Sequence, residues 1–108
     1  MAETITLEEL KSALDEGSVV VLEALPPEYF EKEHIVGAHN LPLDDIDTLA
    51  PELVPDKEQA IVTYCSNTSC NNSTVAAERL HSLGYRNVRT FAGGKEEWTG
   101  AGLPLSHG

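Results

Sequence analysis

Two short runs, Ser18–Glu23 (SVVVLE) and Ala60–Tyr64 (AIVTY), are almost unbroken in apolar and β-branched side chains. A strand with one wet face alternates apolar and polar residues, whereas a continuous run has to be covered on both faces. Segments with helical spacing alternate with these runs along the chain. The expectation is an α/β fold, a central and mostly parallel sheet flanked by helices.

The element ends can be read from local chemistry. Thr6-Leu7-Glu8-Glu9 spells a capping box, with Thr6 as N-cap and Glu9 three residues on. Leu7, Leu10, Ala13 and Leu14 then share one helical face, and Gly17 ends it. Pro26-Pro27 breaks the first strand, and a short helix is expected over Glu28–Glu33. A strand over Val36–Leu41 and a helix over Asp44–Ala50, ended near Pro51, follow. Ser73 starts the clearest helix, with Val75, Ala76, Leu80 and Leu83 at helical spacing and Gly84 as its stop. A third strand is expected at Asn87–Phe91, a turn at Gly93-Gly94, and a last helix over Lys95–Gly100 carrying Trp98. The tail from Gly102 to Pro104 is expected to pack back on the body.

At 108 residues there is room for one core, so a single domain over 1–108 is expected. Seven basic against 18 acidic residues give a net charge of −11. Such a surface repels phosphate backbones and anionic lipid, which argues against nucleic acid or membrane partners. No apolar stretch reaches the roughly 20 residues of a membrane span. The N-terminal segment is acidic and amphipathic rather than signal-like, so a cytoplasmic location is the default. Two cysteines in a reducing compartment point to catalysis, redox chemistry or metal binding before a structural disulfide. Composition leaves the oligomeric state open.

The segment AIVTYCSNTSCNNSTVAA, residues 60–77, concentrates the chemistry. Cys65 falls at the C-terminal end of a buried strand, where open α/β sheets hold ligands. Residues 66–72 are small and polar, and they lead into a helix N-terminus. Free backbone N–H groups and the helix dipole are therefore expected to face the Cys65 sulfur and favour its thiolate. That effect lowers a thiol from its usual value of about 8.5. The bland alternative is a small buried hydrophobe that ends a strand.

Motifs along nearly the whole chain resemble the rhodanese superfamily. Val21-Leu22-Glu23, His34-Ile35-Val36-Gly37-Ala38-His39-Asn40-Leu41-Pro42 and Tyr64-Cys65 come first. Ala76-Ala77-Glu78-Arg79-Leu80, Gly84-Tyr85-Arg86-Asn87-Val88, Gly93-Gly94, Trp98 and Ala101-Gly102-Leu103-Pro104 follow in the family's order. The resemblance implies that Cys65 accepts sulfur as a persulfide and passes it to a thiol acceptor. It also implies that Ser66, Asn67, Thr68, Ser69, Asn71, Asn72 and Ser73 form the substrate-binding loop. No cofactor or resident metal is implied.

The departures bear on activity. Rhodaneses commonly carry Cys-x4-Arg, the arginine helping to bind an anionic donor such as thiosulfate. Counted from Cys65, that position is Cys70; counted back from the helix start it is Asn72, in a loop two residues longer. Residues 66–77 hold no Lys or Arg. An Asp-x-Arg after the early strand is replaced by Glu23-Ala24-Leu25. Weak thiosulfate turnover is expected, and phosphatase or arsenate-reductase chemistry lacks its oxyanion clamp.

Cys70 leaves three options open. As a catalytic partner it attacks a persulfide or sulfenate on Cys65 and leaves a disulfide. Otherwise it fills the place of the arginine, or joins His34, His39 or His81 around zinc, for which the spacing is poor. His34 reads as structural and His81 as surface, Trp98 and Phe91 as core, and Lys95, Arg79 and Arg89 as solvated cations. Two rivals stand beside a sulfurtransferase or sulfur relay: a Cys65/Cys70 thiol–disulfide switch, and a binding module that has lost turnover.

Overall fold

A computed structural model describes residues 3–107 of the chain. Its first strand, β1 (Glu3–Thr4), has no counterpart in the sequence reading; α1 (Leu7–Glu16) follows. The capping box is present: the Glu9 N–H donates to Thr6 Oγ1 at 3.1 Å, and the Thr6 N–H donates to Glu9 Oε1 at 3.0 Å. A side-chain cap of this kind contributes about 1 kcal/mol. β2 (Val20–Glu23) and α2 (Pro27–Lys32) come next, α2 opening on a proline where a missing N–H costs no helical bond.

Of the strand expected over Val36–Leu41 only β4 (His39–Asn40) forms, and a further strand, β3 (His34–Ile35), precedes it. Gly37 between them sits at φ 87, a left-handed turn that sends the two pieces to different sheets. The helix expected to stop near Pro51 also differs. A 3-10 turn over Leu43–Asp45 leads into α3 (Ile46–Leu53), which runs through the proline. Burial of Ile46 and Ala50 holds this helix, and the Tyr85 hydroxyl donates to the Val54 carbonyl at 2.6 Å just past its end. One lost backbone bond is outweighed by that anchoring.

The remaining elements are β5 (Ile61–Tyr64), α4 (Asn72–Ser82), β6 (Val88–Phe91), α5 (Gly94–Gly100) and β7 (Leu105–Ser106). The five-stranded sheet has the order β1-β6-β5-β2-β4, and every pair in it is parallel. β3 and β7 form a separate antiparallel pair, so the tail returns to the body as a strand. Trp98 Nε1 donates to the Pro104 carbonyl at 2.7 Å and fastens that return.

Successive residues of the central strands feed two cores, as the pleat requires. Leu22, Ile61 and Val88 join Ile46 and Ala50 of α3 and Ala76, Ala77 and Leu80 of α4 on one face. Val21, Val62, Tyr64 and Phe91 join Leu10 of α1 and Trp98 of α5 on the other. Helices thus cover both faces, which is why the central runs are apolar throughout. On α4 the buried stripe is Ser73, Ala76, Ala77 and Leu80; Val75, expected on that face, is 41% exposed because it lies roughly 150° round the helix from the stripe's centre.

Candidate active site

β5 delivers Cys65 to the C-terminal edge of the sheet, and the chain must then turn to enter α4. Thr63 Oγ1 donates to the Ser73 carbonyl at 2.8 Å and ties the start of α4 to the strand. The Asn72 amide donates to the Ala24 carbonyl at 3.0 Å, fastening the same corner to the end of β2. Residues 66–71 span this corner as a loop folded on itself. Its Cys70 N–H donates to the Asn67 carbonyl at 3.2 Å, and its Ser69 N–H donates to Asn67 Oδ1 at 3.0 Å.

The start of α5 supports the loop from below. The N–H groups of Lys95 and Glu96 donate to the carbonyls of Cys65 and Ser66 at 3.0 and 2.9 Å. Gly94 makes this approach feasible. It has φ 59, and a Cβ there would lie 2.3 Å from the Cys65 oxygen.

Cys65 is 1% exposed and unpaired, and Cys70 is unpaired and half-buried. The Cys65 thiol donates to the Cys70 carbonyl at 3.2 Å, and Ser73 Oγ lies 3.7 Å from the same sulfur. Two of the N–H groups expected to cradle the sulfur over residues 66–72 are turned elsewhere. The N–H groups of Ser69 and Cys70 are spent inside the loop, and a carbonyl oxygen faces the sulfur instead. Only the Ser73 backbone N–H and hydroxyl act to favour the thiolate.

The expected lowering of the Cys65 pKa is overturned. Burial pushes the thiol up, the Cys70 side chain adds to the rise, and Ser73 pulls back only in part. A carbonyl acceptor suits S–H and repels S⁻, so this closed arrangement holds the protonated form.

Of the residues expected to bind substrate, Ser73 touches the sulfur, Asn67 and Ser69 shape the loop, and Asn72 anchors it. Thr68, Ser69 and Asn71 are exposed, and Ser66 and Asn67 half-exposed. Lys95 was expected in solvent, but its side chain is only 12% exposed and Nζ lies 3.2 Å from Glu23 Oε1. It also donates to the Glu33 carbonyl at 2.9 Å. Glu23 is fully buried, accepts from the Tyr64 hydroxyl at 2.8 Å, and leaves Oε2 without a partner. Desolvation raises the Glu23 pKa, with the Tyr64 and Lys95 hydrogen bonds opposing. Tyr64 is itself held above its ordinary range by burial and by Glu23, and the Ile35 N–H donates to its oxygen at 3.0 Å.

This buried carboxylate network lies one residue behind the cysteine, and the sequence signalled only its separate parts. Lys95 is therefore neutralised rather than available as an anion clamp. Arg79 pairs with Asp47, and Arg89 lines a recess with Glu3 and Arg86 beside the first residues of β6. His34 is buried, stacks on Phe30 and bonds the Phe30 carbonyl through Nδ1, while His39 and His81 are exposed. Among the described residues no three His, Cys, Asp or Glu side chains converge to hold a metal ion.

Two open cavities flank the loop. One of about 310 Å³ is lined by Ala24, Pro26, Pro42, Asp44, Asp45 and Asn72 among others. The other, about 360 Å³, includes Tyr29, Lys32, Ser66, Lys95, Glu96 and Thr99.

A buried cysteine at the carboxyl edge of a parallel sheet, turned into a helix by a short polar loop, defines a three-layer α/β domain with a thiol at its sheet edge. The rhodanese-like domain model matches residues 6–101, and the chain belongs to that family. The thiosulfate sulfurtransferase PspE of Escherichia coli is 34% identical over 70 residues, covering 65% of this chain and 65% of its own. The HTH-type transcriptional regulator Rv0324 of Mycobacterium tuberculosis is 32% identical over 106 residues, 98% of this chain but 46% of that protein. The putative sulfur carrier protein YrkF of Bacillus subtilis is 31% identical over 97 residues, 89% of this chain and 50% of its own. The chain thus spans between 46% and 65% of the length of these relatives. Among solved structures, the BH2092 protein of Bacillus halodurans superposes with a TM-score of 0.89 at 25% identity, covering 98% of this chain and 77% of that one. A thiosulfate sulfurtransferase from Pseudomonas aeruginosa gives a TM-score of 0.88 at 25% identity, covering 99% of this chain and 20% of its own. Of the three sequence relatives, two are named for sulfur transfer or sulfur carriage and one for transcriptional regulation.

Proposed function

We propose that the chain carries sulfane sulfur as a persulfide on Cys65 and hands it to a thiol acceptor. The observation that carries this reading is the setting of the Cys65 sulfur, at the end of a buried parallel strand and against Ser73 at the start of α4. The Cys65 thiolate attacks the outer sulfur of a donor persulfide, and the donor leaves as a thiolate. The Ser73 N–H and hydroxyl are the groups that stabilise the anionic sulfur.

The donor is a persulfide rather than thiosulfate. A dianion near the loop would meet Asp44, Asp45, Glu33 and Glu96 on the cavity walls, with Lys95 already paired to Glu23. The reacting end of a persulfide carries at most one negative charge into the site, where thiosulfate carries two.

One observation favours a second reading, a fold retained as a binding module. Cys65 is 1% exposed and its burial favours the thiol. The two readings separate in one experiment. Reduced protein is mixed with glutathione persulfide or with thiosulfate, and sulfur gained is followed by intact mass with and without an added thiol acceptor. Sulfur transfer through the wild type that is lost in Cys65→Ser, and faster from the persulfide, is the expected result. An unmodified protein that passes no sulfur from either donor overturns the relay and leaves the binding module.

A further inference from the structure

We propose that Cys70 is a resolving thiol, so that a persulfide on Cys65 is discharged inside the loop as hydrogen sulfide. This rests on the persulfide reading above and names where its sulfur goes. The argument begins with access. Cys65 is 1% exposed, so an external thiol must displace the loop to reach it, whereas Cys70 is half-buried on that same loop.

The loop is also closed in the sense the reaction needs. The Cys65 sulfur lies 3.2 Å from the carbonyl oxygen of Cys70, and the turn from Asn67 to Cys70 folds the intervening residues back. The Cys65 sulfur thus touches the backbone of the residue that bears the second thiol, and both thiols are free. Only four residues separate the two cysteines, so closing the ring costs little further chain entropy. Where the family pattern carries an arginine to hold an anion, this chain offers a second nucleophile.

The step balances without an outside oxidant. The Cys70 thiol gives its proton to water, and its thiolate attacks Cys65 Sγ. A Cys65–Cys70 disulfide bond forms, the bond between Cys65 Sγ and the outer sulfur breaks, and hydrosulfide leaves with the electron pair. The outer sulfur is reduced to sulfide as the Cys70 sulfur is oxidised to the disulfide level. A low-molecular-weight thiol resets the site, two thiols entering and one disulfide leaving.

The test loads reduced wild-type, Cys70→Ser and Cys65→Ser protein with glutathione persulfide, with no acceptor added. Sulfide release is followed by trapping with an alkylating agent, and intact mass is read under non-reducing conditions. Wild type is expected to release about one equivalent of sulfide and end lighter by two hydrogens, with the disulfide mapping to residues 65 and 70. Cys70→Ser is expected to keep the extra sulfur on Cys65 and release sulfide at least roughly ten-fold more slowly. A wild-type protein that keeps its sulfur as Cys70→Ser does overturns the proposal and leaves the relay standing. If neither wild type nor Cys70→Ser gains sulfur or releases sulfide, the persulfide reading fails and takes this proposal with it.

Discussion

The Cys65 sulfur faces the Cys70 carbonyl on one side and Ser73 at the start of α4 on the other, and these neighbours act on its proton in opposite senses. Burial adds to the side that keeps the thiol protonated, and it is the largest influence. The rate of alkylation by iodoacetamide should therefore keep climbing with pH past the usual thiol value of about 8.5. Replacing Cys70 by alanine removes a group that raises the pKa and should move the inflection down; Ser73→Ala should move it up. A wild-type inflection below the usual value would show that the helix start outweighs burial after all. The sequence made Cys65, Cys70 and Ser73 legible as neighbours of one loop. Which backbone atoms face the sulfur was not legible, because loop dihedrals follow from packing rather than from residue type.

The elements around the site were mostly readable, since helix caps and apolar runs are local signals. Thr6 and Glu9 cap α1 as their spacing requires. The two-residue strands β1 and β7 escaped because a pair of residues carries no period, and only the partner strand defines them. The junction between α5 and the cysteine loop is a contact of the same non-local kind. Alanine at Gly94 must adopt a left-handed φ and place Cβ against the Cys65 carbonyl. Backbone strain and overpacking together should cost about 2–4 kcal/mol. Chemical denaturation measures this, with Gly100→Ala as control because nothing lies within 4 Å of its added Cβ. The control is expected to change stability by at most about 0.5 kcal/mol. Equal effects at the two positions would show that the α5 junction is not a packed contact.

At the scale of the whole molecule, a net charge of −11 surrounds a fully buried carboxyl. Glu23 holds its proton more tightly folded than unfolded, because desolvation outweighs the help from Tyr64 and Lys95. Its contribution to stability is complete below the unfolded value, near 4.3, and is lost as pH rises through the folded one. Denaturation of wild type and Glu23→Gln across that range should show wild type losing ground to the variant as pH rises. A constant difference, or one that moves the other way, would mean that Lys95 and Tyr64 overcome the burial cost.

The amino-acid sequence by itself determined the α/β class, the doubly covered strands, the capping box of α1 and the cysteine at a strand end. Periodicity, turn residues and motif order are properties of neighbouring residues, so they survive without coordinates. Tertiary structure alone decided that Lys95 is spent on Glu23, that a carbonyl meets the Cys65 sulfur, and that the tail returns as β7. Each of these joins residues distant in the chain or depends on a loop's path. Desolvation, which raises the pKa of Cys65 and of Glu23, exists only once the chain has closed around them.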